Sequence, residues 1–225
     1  MNVRLAFIGG TGHQGLGLAL RLAAAGHQVI IGSREEERAV KAAEKAERIL
    51  SEHGYEDVTV EGRENSDAAA EADVVFLTVP FFAVIDTVKT IRDSLDEDAI
   101  VVNVTVPLET AIGGNPTRLI RPWSGSAAET VQSLVDNPVV SAFENVSAES
   151  LRDLEKKVEC DVVVCSDHKD AKNVVMELAE EIPGVRAIDG GPLENARIVE
   201  SITALLISIN MRYGKENVGI RFTNL

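Results

Sequence analysis

The sequence is poor in cysteine, in positive charge and in long apolar runs. Its two cysteines, Cys160 and Cys165, flank the apolar run Val162, Val163 and Val164. That spacing fits neither a zinc pair nor a C-x-x-C redox motif, so two thiols in or beside a buried strand are expected. No disulfide framework is implied, which suits a reducing cytoplasm. Lys and Arg total 22 against 36 Asp and Glu, giving a net charge of −14 and a sequence pI of about 4.7. A general nucleic-acid or anionic-membrane binder is thereby disfavoured, because phosphate contacts need clustered cations. An anionic ligand would have to be held by local groups against an unfavourable overall field. The longest late apolar run, 198–209, is broken by Glu200, Ser201, Thr203 and Ser208. It falls short of the ~20 residues a spanning helix needs. The opening MNVRLAFIGG has too short an apolar part, and too early a glycine pair, to read as a signal peptide.

Equally absent are convincing catalytic sets. There is no Ser/His/Asp constellation, no metal-ligand cluster, and no Tyr-x-x-x-Lys, since Tyr55 is followed at that distance by Thr59 and Tyr213 by Asn217. His13 falls in a glycine turn, and His27 and His53 read as surface residues near helix ends. Asp167 before His168 reads as a helix cap.

What is present is an alternation. With 225 residues, 45% of them hydrophobic and 26% charged, the chain can bury one large core or a standard domain with a small second one. Apolar strand candidates occupy 3–8, 29–31, 58–60, 74–79, 100–106, 139–143, 162–165 and 186–189. Helical periodicity covers 16–25, 35–50, 66–72, 84–95, 125–134, 169–182 and 193–211, with Ser66 and Asp167 as candidate N-caps and Pro192 in a first turn. Between them, 113–116 is a turn, and 118–124, with the single tryptophan Trp123, is a loop. The pattern predicts a parallel sheet with helices on both faces. No repeat or low-complexity linker interrupts it, and the domain boundary is expected within 145–154.

Gly10-Thr11-Gly12-His13-Gln14-Gly15 satisfies G-x-G-x-x-G between a strand and a helix. The first glycine permits a tight turn, the second allows the backbone to approach a pyrophosphate, and the third lets the helix pack close to the strand. The helix N-terminus adds free N–H groups and a positive dipole end. At the end of the second strand, where NAD binders carry an acid for the ribose, stand Ser33 and Arg34, with Arg38 one turn later. A hydroxyl and two guanidinium groups suit the 2′-phosphate of NADP. The competing possibility is that Arg34 and Arg38 merely pair with carboxylates at 35–37 on a solvated face. The expected fold class is α/β, a Rossmann-type doubly wound parallel sheet (1–148, binding NADP), followed by a small C-terminal α/β domain (149–225).

The ordered set IGGTGHQGLGLALRLA, IIGSRE, LTVP, GSAAE, SDHKDA and DGGPLENARIVESITALLISIN resembles the F420H2:NADP+ oxidoreductase family, from Val3 to the C-terminus. The resemblance implies NADP(H) across the strand ends and coenzyme F420 over the nicotinamide. It implies hydride transfer between C5 of the deazaflavin and C4 of the nicotinamide, in a cytoplasmic, typically archaeal homodimer or higher homo-oligomer. It further implies that Thr11, Gly12, His13 and Gln14 meet the pyrophosphate, that Ser33, Arg34 and Arg38 hold the 2′-phosphate, and that Val79, Ala83, Val106 and Ala148 line the nicotinamide and deazaflavin region. The Phe81-Phe82 and Glu144-Asn145-Val146-Ser147 stretches depart from some family members. Because both reacting groups belong to cofactors, no catalytic side chain is expected, only binding, orientation and exclusion of water. Arg118 and Arg121 are possible contacts for an anionic F420 tail. The apolar stripe Ile198, Ile202, Leu205, Leu206 and Ile209 fits burial or a subunit interface. The rival readings are an NADP-dependent imine reductase resembling pyrroline-5-carboxylate reductase and a non-catalytic NADP(H)-sensing protein.

Overall fold

The computed structural model describes residues 3–225. Six strands, β1 (Arg4–Ile8), β2 (Gln28–Ser33), β3 (Val60–Glu64), β4 (Val74–Leu77), β5 (Ile100–Asn103) and β6 (Val139–Ser141), form one parallel sheet in the order β3-β2-β1-β4-β5-β6. The chain reverses its direction of travel across the sheet between β1 and β4. The connections there diverge and leave a crevice at the carboxyl ends of the strands. The expected doubly wound α/β fold is what forms.

Residues alternate across the sheet because a strand has period two. Leu5 and Phe7 face one apolar layer, with α1 (His13–Ala24) and α2 (Glu36–Glu52); Ala6 and Ile8 face the other, with α3 (Asn65–Ala70), α4 (Val84–Ile91) and α5 (Ala127–Gln132). Burial on both faces explains why the central strands read as unbroken apolar runs. Phe7 and Phe76 stack with ring centroids 4.7 Å apart, and Phe143 leans on Phe76 at 6.0 Å.

The first apolar layer continues into the C-terminal part of the chain. That part comprises α6 (Ala148–Arg152), a second parallel pair β7 (Cys160–Val164) and β8 (Val185–Asp189), α7 (Lys169–Glu180) and α8 (Ala196–Tyr213). A two-way backbone bridge between Ser141 and Cys165 joins the sheets, at 2.9 and 3.0 Å. Buried Arg21 on α1 donates to the carbonyls of Leu151 and Ser150 (both 2.9 Å) and Lys156 (2.8 Å). A guanidinium has donors enough to close the open carbonyl end of α6 in this way.

Five details differ from the sequence expectation. His27, expected at the surface, is buried, its Nε2 paired with the Glu181 carboxylate across the fold. The strand expected at 58–60 lies instead at Val60–Glu64, a polar edge strand, and α2 sits so close that a Cβ on Gly62 would come 2.3 Å from Val40 N. Period-two apolarity is weak there because one edge faces water. Ser66 does not cap α3, which begins at Asn65; the Asn65 Oδ1 accepts from Gly9 N at 3.3 Å, across the sheet. Asp167 does not cap α7 either. It accepts from Leu193 N at 3.1 Å and caps the 3-10 turn Leu193–Asn195, which replaces the expected first turn of the long helix. The helix expected over 84–95 ends at Ile91 and finishes as a 3-10 turn.

Candidate functional site

The glycine turn connects β1 to α1. A Cβ on Gly15 would lie 2.5 Å from Thr78 Oγ1 and 2.7 Å from Gly10 Cα, and one on Gly10 would lie 2.6 Å from Phe7 O. These contacts leave no room for a side chain and bring α1 hard against the strand ends. Gly12 is the opposite case: the only neighbour within reach of a Cβ is Gly9 O, at 3.8 Å. It is exposed and faces open space. As N-cap, Gly12 gives no side-chain bond, and the first turn of α1 carries no acid. The N–H groups of His13, Gln14 and Gly15 have no acceptor among the described residues. A helix N-terminus left bare in this way is a cradle for an anion and fits a pyrophosphate.

At the end of β2, Ser33 is buried and its Oγ accepts from Glu35 N at 3.3 Å. Arg34 and Arg38 are exposed. Neither pairs with an acid among the described residues, and Glu37 pairs with Lys41 instead. The two guanidinium groups therefore stand free beside the turn.

On the other side of α1's N-terminus lies a cleft of about 550 Å³. Its apolar walls include Val79, Pro80, Phe81, Phe82, Val104 and Val106. That size and lining suit a planar ring system. The polar side chains of the cleft are mostly committed to the protein itself. Thr78 Oγ1 donates to Ile8 O (2.9 Å), Thr105 Oγ1 to Asn103 Oδ1 (2.7 Å), Gln14 Nε2 to Phe143 O (3.2 Å) and Thr203 Oγ1 to Glu144 O (2.8 Å).

Glu144 also lines this cleft. It follows Phe143, which takes a left-handed φ of 69° that is unusual for a non-glycine residue. The carboxyl is buried, and Ser141 Oγ donates to Oε1, while Oε2 has no partner. No cation pairs with it among the described residues. Burial therefore raises its pKa to about 8, against a smaller downward pull from Ser141, with nearby Glu200 adding to the rise. Glu200 is a second buried carboxyl. It accepts from Ala127 N (3.1 Å) and Ala128 N (3.2 Å) at the start of α5, and burial lifts it to about 7.

The similarity to known proteins now has a geometry to meet. Residues 4–107 match the family model described as NADP oxidoreductase, coenzyme F420-dependent. The F420-dependent NADP reductase of Methanothermobacter thermautotrophicus is 52% identical over all of this chain and 97% of its own length. The enzyme of the same description from Methanocaldococcus jannaschii is 50% identical, over 99% of each chain. This chain belongs to the F420-dependent NADP reductase family. A solved Arthrobacter sp. FB24 protein, proposed to be a reductase of this kind, superposes with a TM-score of 0.82 at 24% identity, covering 99% of this chain and all of that one. At that identity the likeness is one of fold.

Within this F420-dependent NADP reductase fold, the residues expected at the site fall into three groups. Gly10, Thr11, Gly12, His13, Gln14 and Gly15 form the turn, with Gly12, His13 and Gln14 reaching the cleft beside Val79 and Val106. Ser33 ends β2, Arg34 follows it, and Arg38 lies in the first turn of α2. Ala83 and Ala148 stand apart from the cleft lining. Ala83 ends the 3-10 turn Phe81–Ala83 below the rim, and Ala148 opens α6 where that helix packs on Gly17 of α1. Arg118, Arg121 and the fully exposed Trp123 line a neighbouring, more polar cavity of about 770 Å³ together with Arg197 and Glu200. Thr78, Thr105 and Thr203 were not found by sequence reasoning, and Glu144 was met only within a stretch that departs from some family members. They share no motif spacing, and no local pattern marks a buried carboxyl that lacks a cation.

Proposed function

We propose that this protein transfers a hydride reversibly between C4 of the nicotinamide of NADP(H) and C5 of the deazaflavin of coenzyme F420. The observation that carries this reading is the full-length relatedness, at about half identity, to F420-dependent NADP reductases. The bare α1 N-terminus, beside two unpaired arginines, supports it independently. The cofactors supply the hydride chemistry when bound. The chain itself binds, orients and excludes water. The N–H groups of His13, Gln14 and Gly15 would hold the pyrophosphate, and Arg34 and Arg38, with Ser33, the 2′-phosphate. Val79, Val106, Phe81 and Phe82 would line the space for the two rings. Positioning of this kind is worth several kcal/mol of barrier, on the order of 7–11 in favourable intramolecular cases.

The segment 149–225 acts in this reading as the small domain that closes the cleft, through Thr203 on α8. Ile198, Leu205, Met211 and Tyr213 on α8 are exposed while Leu206 is buried. That division supports use of the outer face of α8 in a homodimer or higher homo-oligomer. The two buried free thiols suit a cytoplasmic setting. The test is direct: the purified protein, mixed with NADPH and oxidised F420, bleaches the deazaflavin absorbance. Tight NADPH binding without bleaching would leave a nucleotide sensor as the better reading, and reduction of a cyclic imine instead would favour the imine reductase.

A further inference from the structure

Reducing a deazaflavin with NADPH consumes a proton as well as a hydride: NADPH, F420 and H+ give NADP+ and F420H2. The hydride brings two electrons and one hydrogen to C5. A second hydrogen must reach the ring heteroatom on which the displaced electron pair settles. A cleft that excludes water has to provide it.

The cleft has few groups able to do so. Its side-chain donors Thr78, Thr105, Gln14 and Thr203 spend their hydrogens on acceptors within the protein. Thr110 carries an alcohol hydrogen that is not acidic enough to be released near neutrality. His13 is exposed to solvent at the mouth, in the glycine turn. Glu144 remains. It is 5% exposed and lines the cleft, its Oε1 accepts from Ser141, and its Oε2 has no partner.

The groups around it have a consistent effect. Ser141 from β6 and Thr203 from α8 are neutral. Cys165, from the end of β7, is a thiol that burial keeps protonated, pushed up to about 12. Glu200 from α8 is the nearest acid and opposes ionisation of Glu144. Lys172 on α7 is held by Asp189 at 2.6 Å. His13, from α1, is the only other titratable side chain in the cleft lining. A carboxyl in such a place carries its proton at neutral pH, and a protonated carboxyl with one oxygen already accepting has its O–H on the free oxygen.

We propose that Glu144 is the proton-carrying residue of the cleft: its Oε2, closed off from solvent, turns to the deazaflavin ring and gives up its proton as hydride arrives, taking one back in the opposite direction. The O–H bond of Glu144 breaks, its electron pair stays on the carboxylate, and a bond from hydrogen to the ring heteroatom forms. The carboxylate recovers a proton from water after the product leaves. This role rests on the hydride-transfer reading above.

Three measurements test it. In the cofactor-free protein, infrared titration shows a neutral carboxylic acid band that disappears as pH rises through about 8 and is missing from Glu144→Gln. In single-turnover reduction of F420 by NADPH, the wild-type rate falls above that pH and slows in heavy water. In Glu144→Gln it drops about 100-fold and loses both the pH limb and the solvent isotope effect, while NADPH affinity stays within about twofold. In Ser141→Ala, which keeps the carboxyl but removes its stabilising donor, the limb moves to higher pH. The proposal is overturned if Glu144→Gln keeps the wild-type limb and isotope effect, even at a reduced rate, or if the limb stays put in Ser141→Ala. If the wild type binds NADPH but never bleaches F420, the hydride-transfer reading fails. The infrared band then still reports whether Glu144 holds a proton, so the two failures are separable.

Discussion

At the β2 end of the crevice, Arg34 and Arg38 stand in water without acidic partners among the described residues, and α1 presents uncapped N–H groups. At the β6 and α8 end, Glu144 lies buried without a cationic partner among them. Positive charge is left open where a phosphate would sit, in a chain whose net charge is −14. Negative charge is suppressed in the apolar cleft where the two rings would meet. An exposed guanidinium costs little to keep ready for an anion, because water solvates it until the ligand arrives. A buried carboxyl cannot be kept charged at that cost, and so becomes a neutral acid. Burial is the largest difference between the two ends, with Ser141 and Glu200 as smaller influences on Glu144.

The largest way to break the contrast is to fill the turn between the two ends. Gly15→Val is expected to abolish measurable NADPH binding and lower Tm, because its side chain must displace Thr78 and the Gly10 backbone. Isothermal titration and thermal melts check both.

Next comes the pH dependence of stability. The pKa of Glu144 is raised from 4.5 to about 8 in the folded chain, so the native state keeps a proton that the unfolded chain loses. Its contribution is complete below the unfolded value and is lost as pH rises through that window. Glu144→Gln should therefore flatten denaturant midpoints across the window, a gain on the order of a few kcal/mol at its upper end. A residual slope should persist only to about pH 7, where Glu200 titrates. An unchanged slope would mean that the carboxyl is solvated.

The open end gives a smaller effect. Arg34→Ala is expected to weaken NADPH binding about ten- to hundredfold, the worth of a charge-assisted bond, and to leave NADH binding nearly unchanged. Equal losses for both nucleotides would refute the 2′-phosphate assignment. The smallest effect is in Thr203→Val, which loses only the 2.8 Å bond to Glu144 O. A destabilisation of about 1 kcal/mol is expected in chemical denaturation, with the pH limb of F420 reduction kept.

How far the sequence could be read follows the same division between local and distant. The buried strands of the large sheet were legible because apolar residues on both faces leave unbroken runs. The glycine turn was legible because close approach and tight geometry need glycine at fixed spacing. The edge strand β3 was misplaced, since VEGRE carries no period-two signal. Asp167 and Ser66 show the limit of capping rules. Both are good cap residues, but Asp167 satisfies an N–H 26 residues away, and Asn65 spends its amide on the glycine turn. Sequence proximity alone cannot say which orphan donor a side chain will reach.

The sequence by itself determined the alternating α/β order, the cradle for a pyrophosphate, and the choice of Ser33, Arg34 and Arg38 over an acid, because each depends on residues within a few positions of one another. Only the tertiary structure decided that α8 reaches over the strand ends, that Thr203 meets Glu144, 59 residues away, and that no cation accompanies that carboxyl into the cleft. The physical reason is that a group's charge state depends on what surrounds it in space, and those neighbours come from β6, β7, α1 and α8 together.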